Sequence, residues 1–222
     1  MSSMTEPTTA PARTLAVASS APLLVLTCFT LPMVTLPQIS RSLGAGPTGP
    51  VWILGSIALG LSSLLLVAGG LADDYGRRRV LVAGTGVLAA ASVAAALSAN
   101  VAVFVAARLV QGGASAAMLA ASLGIVGHAY PAGPERVRAT GRYGAMIGLG
   151  TLAGPLVAGL GASVVSWRAT YWLMGLCALL LALASARVLQ ESGSAAPNCS
   201  TFAPPRSPTG SPPSPTSSPP AT

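Results

Sequence analysis

The stretch GGLADDYGRRRVL, residues 69–81, concentrates charge in a sequence that has little of it. Its central part, DDYGRRR, holds five charged residues in seven positions, although charged residues make up only 8% of the chain. Gly76 permits a backbone conformation that a side chain would forbid. Asp73 and Asp74 can pair with the three arginines, which can also bind anionic lipid headgroups. The stretch is therefore predicted to form a tight, charged turn at a helix end.

A second polar feature lies inside an apolar run, where Arg108 and Gln111 occur three residues apart. An arginine within a bilayer costs at least a few kcal/mol, so it normally faces a polar cavity or a partner. Gln111 lies on the same helix face and favours the cavity. The alternative is an arginine that snorkels to the nearby helix end around Asn100.

The composition indicates a membrane protein. The chain is 52% hydrophobic and 8% charged, whereas a soluble domain carries about 25% charged residues. The net charge of +7 could indicate nucleic acid, but the arginines are scattered between apolar segments, so the bilayer is the expected partner. The cysteines have no metal or redox spacing. We expect no metal, no cofactor and no catalytic residues, and hence no enzyme.

Long uncharged runs predict an all-α membrane protein with six transmembrane helices. About 20 residues at 1.5 Å each cross a ~30 Å hydrocarbon core, and nothing alternates with the period of a strand. A cleaved signal peptide is the alternative for the first run, which is too long for a signal core. The runs cover roughly residues 15–36, 51–72, 80–100, 101–127, 143–166 and 169–186, and the fourth is interrupted only by Arg108.

The distribution of arginines predicts the orientation. With the N-terminus inside, nine arginines fall in inner segments and only Arg41 and Arg168 in outer joints, so both termini are expected in the cytoplasm. The polar residues 1–14 are predicted to be disordered, and residues 15–189 to form the bundle. Residues 190–222, rich in Ser and Pro, are predicted to be a disordered tail, passive rather than a Pro-rich ligand.

The turn resembles the loop between helices 2 and 3 of the major facilitator superfamily, G-x-L-A-D-R-x-G-R-R-x-x-L. Leu71, Ala72 and Leu81 match it, and Asp74 stands where Arg is usual. The resemblance implies a cytoplasmic latch that stabilises the outward-facing state. Its matching polar and glycine positions are Gly69, Asp73, Gly76, Arg77 and Arg78.

Three further segments resemble the same family, and the resemblance covers about residues 15–189. FVAARLVQGGASAA (104–117) is similar to an R-x-x-Q-G segment of helix 4, and SWRATYW (166–172) to the opening of helix 6. GLGTLAGPLVAGLG (148–161) is similar to the helix-5 pattern G-x-x-x-G-P-x-x-G-G of antiporters, with Ala158 replacing one glycine. The matching positions are Gly150, Gly154, Pro155 and Gly159.

The resemblance implies an efflux transporter of small molecules, by proton antiport, in the cell membrane. Helices 1, 2, 4 and 5 line the substrate cavity of that fold, which gives Arg108, Gln111, Thr30 and Gln38 as cavity candidates. Fourteen-span relatives often hold an acid in helix 1 where this chain has Cys28. A proton carrier is therefore not visible in this chain.

The family fold has two six-helix halves, and this chain resembles the first. Three hypotheses follow: the N-terminal half of an efflux transporter, as a truncated or frameshifted product; a half-size transporter that pairs with itself or a separate half; or a non-transporting membrane remnant. A Ser/Pro tail that departs so sharply from the helices favours the first.

Overall fold

A computed structural model describes residues 9–129, 133–164 and 166–188. Within those ranges it contains six α-helices and no strand, which confirms the predicted all-α membrane fold. The helices are α1 (Thr9–Ser42), α2 (Gly49–Asp74), α3 (Arg77–Leu97), α4 (Val101–Ala129), α5 (Pro134–Val164) and α6 (Trp167–Val188).

All six helices are long and apolar enough to cross a membrane. The shortest, α3, has 21 residues and is therefore about 31 Å long, close to the thickness of the hydrocarbon core. The joints alternate between two ends of the bundle. We call them the Gly76 end, which holds the α2–α3 turn, and the Asn100 end, which holds the α3–α4 turn.

Two helices begin well before the spans predicted from hydrophobicity. Helix α1 begins at Thr9, so residues 9–14 of the predicted disordered segment are helical. Helix α5 begins at Pro134, inside the joint predicted at 128–142. A proline in the first turn removes only an N–H that would lack a helical partner anyway. The carboxylate of Glu135 interacts favourably with the positive end of the helix dipole. Residues 1–8 and the predicted tail at 190–222 lie outside the described residues.

The helices pack as two interleaved triplets. One triplet is α1 to α3 and the other is α4 to α6. Helix α2, the second helix of the first triplet, packs mainly against α4, the first helix of the other. In the same way, α5 packs mainly against α1. Helices α3 and α6 pair with each other. This exchange puts α1 and α4 in the middle of the bundle.

Glycines allow α2 and α4 to approach closely. A Cβ atom at Gly60 would collide with the carbonyl oxygen of Leu109, and one at Gly112 would collide with that of Ile57. In lipid, where apolar burial between helices supplies little driving force, such close backbone contact is a main source of helix association.

Two arginines cap the antiparallel pair α3 and α6 reciprocally. At the Asn100 end, Arg168 of α6 donates from Nη1 to the carbonyl of Ala96 (2.6 Å) and from Nη2 to that of Ser98 (2.9 Å). At the Gly76 end, Arg78 of α3 donates to the carbonyl of Ala186 in α6. The last carbonyls of a helix lack intrahelical donors and carry partial negative charge. The arginine in the first turn of each helix therefore donates hydrogen bonds to backbone carbonyls at the end of the other helix.

Candidate functional site

Pro32 creates a local defect in the middle of the bundle. Helix α1 contains three internal prolines, and a proline has no N–H to offer the carbonyl four residues earlier. For Pro32 that carbonyl belongs to Cys28. Arg108 of α4 donates from Nη1 to the Cys28 carbonyl oxygen at 2.9 Å. The arginine thus supplies the hydrogen bond that the helix lacks, at a depth where water is scarce.

The same guanidinium begins a polar network that links three helices. Arg108 Nη1 also donates to Gln111 Oε1 at 3.0 Å, and Gln111 Nε2 donates to Ser92 Oγ of α3 at 3.0 Å. Ser92 Oγ in turn donates to the Leu88 carbonyl at 2.7 Å. Because Arg108 and Gln111 are both 0% exposed, Arg108 does not snorkel to the helix end.

The positive charge of Arg108 has no internal counter-charge. The five acidic residues of the chain are Glu6, Asp73, Asp74, Glu135 and Glu191, and none lies inside the uncharged spans. Nε and Nη2 of Arg108, and the buried hydroxyl of Tyr171, find no hydrogen-bond partner among the described residues. Guanidinium stays protonated in proteins, so the network is a buried cation with unused donors.

The helix-5 glycines lie directly against α1. A Cβ at Gly150 would collide with the Leu23 carbonyl, and a Cβ at Gly154 would collide with the Thr30 hydroxyl and stand 2.9 Å from the Thr27 carbonyl oxygen. Gly159 differs, because a Cβ there would meet nothing within 4 Å. Ala158, which replaces a family glycine, is fully buried.

Threonines of α1 bind the backbone of α5 across this contact. Thr27 Oγ1 donates to the Gly150 carbonyl at 3.1 Å. Thr30 Oγ1 makes a longer contact, 3.5 Å, with the carbonyl of Thr151, which is the carbonyl that Pro155 leaves without a helical donor. The bend expected at Pro155 stays a prediction.

The four cavity candidates occupy different positions. Arg108 and Gln111 form the buried network, and Thr30, 7% exposed, lies in the α1–α5 contact. Gln38 is exposed near the end of α1. The structure therefore joins Arg108 to Gln111 but brings neither Thr30 nor Gln38 into that network. That all four line a substrate cavity stays a prediction, since three of them are packed against neighbouring helices.

The charged turn has the tight geometry that its glycine predicts. Gly76 has φ +92°, in the region that disfavours side chains. Arg77 Nη2 binds Asp73 Oδ1 at 2.9 Å, and Arg77 Nη1 donates to the Gly124 carbonyl of α4 at 2.6 Å. Gly69 lines the same surface groove as these residues. Arg78 is directed instead to α6, as described above.

Gly124 of α4 accepts a hydrogen bond from this turn and is a residue that sequence reasoning missed. A Cβ at Gly124 would stand 2.6–2.9 Å from the end of the Arg77 side chain, so a larger residue there would force the arginine to move. The only sign of this role in the sequence is that residue 124 is a glycine near the end of α4.

Among the described residues, no group of three or more His, Cys, Asp or Glu could hold a metal ion.

Comparison with known proteins establishes the family. Residues 19–218 match the model of the Major Facilitator Superfamily. The chain belongs to this superfamily of membrane proteins, as its motifs predict.

Relatives named for drug resistance match more than half of the chain. The chain is 37% identical to the "Multidrug resistance protein Stp" of Mycobacterium tuberculosis over 153 residues, which cover 68% of this chain and 28% of that protein. It is 33% identical to the "Puromycin resistance protein pur8" of Streptomyces alboniger, over 79% of this chain and 35% of that protein. The chain thus spans only about a third, or less, of these relatives.

A solved structure shares the fold. The crystal structure of a bacterial homolog of the human lysosomal transporter Spinster superposes with a TM-score of 0.72 at 17% identity, over 84% of this chain and 44% of that one. The six helices therefore correspond to under half of a transporter with this fold.

The α1–α5 contact can be tested by substituting a glycine inside the contact and, as a matched control, one outside it. Gly154→Ala should destabilise the protein by about 1–3 kcal/mol, because the added methyl group meets fixed atoms of α1. Gly159→Ala adds the same methyl group in open space and should be neutral or slightly stabilising. Unfolding of both variants in mixed micelles measures the difference. Equal effects would show that α5 does not pack on α1 through Gly154.

Proposed function

We propose that this chain supplies the first six helices of an efflux transporter, which exports small molecules across the cell membrane in exchange for protons. One observation carries the proposal: relatives named for drug resistance match 68% and 79% of this chain at 33–37% identity. Sequence identity over this segment, rather than fold alone, relates the chain to efflux proteins.

A second six-helix bundle would cover the faces of α2 and α5. The most apolar window of α5 is 17% buried and that of α2 is 28% buried, whereas the other four helices range from 39% to 61%. Helix α5 exposes Gly141, Gly144 and Gly148, and a Cβ at any of them would meet nothing within 4 Å. Small residues on an open face suit close packing with another helix.

Helices α1 and α4 are proposed to line a passage between two such bundles, since transporter sites lie near the midplane at the interface of the halves. Arg108 and Gln111 are the proposed polar centre of that passage, and Thr30 and Gln38 its α1 contribution. Opening of the α1–α4 contact during transport would expose them. The proton carrier is proposed to lie in the second bundle, because the spans of this chain hold no acid.

The α2–α3 turn is proposed to be the conformational latch. Arg77 ties Asp73 of α2 to the Gly124 carbonyl of α4, so the turn and the end of α4 move as one body. The groove beside it, lined by Gly69, Asp73, Gly127 and Arg136 among others, is open to a helix of the second bundle. Closure of the two bundles at this end would favour the outward-facing state.

Orientation can be tested with accessibility of single cysteines in intact cells. We expect a cysteine at Tyr75, which is exposed beside the Gly76 turn, to resist a membrane-impermeant maleimide until the cells are opened. A cysteine at Gly46, exposed between α1 and α2, should react at once. These substitutions would be made after replacing the three native cysteines with alanine. The reverse pattern would overturn the assignment of both termini to the cytoplasm.

Transport can be tested with a chimera and with the chain alone. Residues 9–188 would replace the matched segment of the puromycin resistance protein in an efflux-deficient strain. We expect the chimera to lower accumulation of puromycin, to lose that effect when a protonophore collapses the proton gradient, and to lose most of it with Arg108→Met. Membrane fractions would confirm equal insertion of each variant.

The other outcomes separate the remaining hypotheses. A chimera that inserts but leaves puromycin accumulation unchanged contradicts the efflux proposal and favours a non-transporting membrane protein. Efflux by the unmodified chain expressed alone would instead favour a half-size transporter that pairs with a second copy. Efflux that survives loss of the proton gradient would overturn proton antiport without affecting the rest.

A further inference from the structure

Only one of the three guanidinium nitrogens of Arg108 makes hydrogen bonds within the described part of the protein. Nη1 makes the bonds to the Cys28 carbonyl and Gln111, while Nε and Nη2 find no partner among the described residues. These two nitrogens form one edge of the planar group and present adjacent N–H donors. Such an edge matches an anion, which can accept both hydrogen bonds at once.

The surroundings offer neutral groups in place of a counter-ion. Cys28 Sγ lies 3.6 Å from Nη1, and a thiol is a weak acceptor. The Tyr171 hydroxyl is fully buried and finds no hydrogen-bond partner among the described residues. Water could satisfy these donors, but it would leave the buried positive charge uncompensated.

We propose that a monovalent anion binds at Arg108, against Nε and Nη2. The chain itself cannot supply the counter-charge, because all five of its acids lie outside the uncharged spans. Two sources share the required chemistry: a halide from solution, and the carboxylate of a small organic molecule. The inference stands apart from efflux, since it requires binding and not transport.

Thermal stability of the purified chain tests the proposal. The melting temperature would be followed by tryptophan fluorescence in nanodiscs of zwitterionic lipid. Sodium chloride or sodium acetate would replace sodium gluconate, whose anion is bulky, at constant ionic strength. An anion that binds the folded state should change the melting temperature little below its dissociation constant, and should raise it by about 3–5 °C per tenfold increase in concentration above that constant. A rise with chloride but not acetate assigns a halide site, and the reverse assigns a carboxylate site.

Position 28 offers matched variants that leave Arg108 in place. Cys28→Asp puts a fixed carboxylate beside the guanidinium and should abolish the dependence on added anion. Cys28→Asn has the same shape without the charge, so it should keep that dependence. If Asn removes it as completely as Asp does, the effect depends on the shape of the site and the proposal fails.

Removal of the cation completes the charge comparison. Arg108→Met should make the melting temperature independent of the anion. The double variant Cys28→Asp, Arg108→Met should melt below either single variant, because it buries a carboxylate without a partner. If Arg108→Met does not fold, the position-28 pair still decides the question. Equal melting of the unmodified protein in chloride, acetate and gluconate would overturn the proposal.

Discussion

The bundle depends on satisfying backbone carbonyls where no water can do so. Pro32 interrupts α1 at mid-bundle and leaves the Cys28 carbonyl without its helical donor, and Arg108 of the central helix α4 provides the missing hydrogen bond. That single contact fixes α1 against α4, and through Gln111 and Ser92 it reaches α3. The arginine is thus both a structural partner and a buried charge. A proline and an arginine that each look costly in a bilayer become compatible because each supplies what the other lacks.

Other long-range polar contacts follow the same rule. Arg168 and Arg78 donate to the last carbonyls of the helices opposite them, and Arg77 donates to the Gly124 carbonyl. Thr27 and Thr30 reach carbonyls of α5 across a glycine contact. Glycines let the helix backbones approach each other. Side chains from neighbouring helices then donate hydrogen bonds to the backbone carbonyls at proline breaks and at helix ends. Helix contacts made in this way hold a bundle together without a salt bridge in its interior, within the part of the chain that the structure describes.

Much of this fold can be read from the sequence. Uncharged runs of sufficient length predict all six helices, and Gly76 predicts the tight turn, because both signals are local. Helices α1 and α5 begin before the spans predicted from the sequence, because a helix can continue beyond the hydrocarbon core of the bilayer. The polar pair Arg108 and Gln111 was recognisable by its spacing, but its partners were not: Cys28 offers a backbone carbonyl 80 residues away, and no side-chain pattern marks a carbonyl. Gly124 was missed for the same reason, since only the fold shows that Arg77 needs its space.

The most direct measurement is a double-mutant cycle between Pro32 and Arg108 on the free energy of unfolding in mixed micelles. Pro32→Ala restores a backbone N–H that can bind the Cys28 carbonyl within α1. Arg108→Met removes the guanidinium and keeps an unbranched side chain. If the arginine compensates for the proline, Arg108→Met should cost about 1–3 kcal/mol less in the Pro32→Ala background than in the unmodified protein. Strictly additive effects would contradict the account.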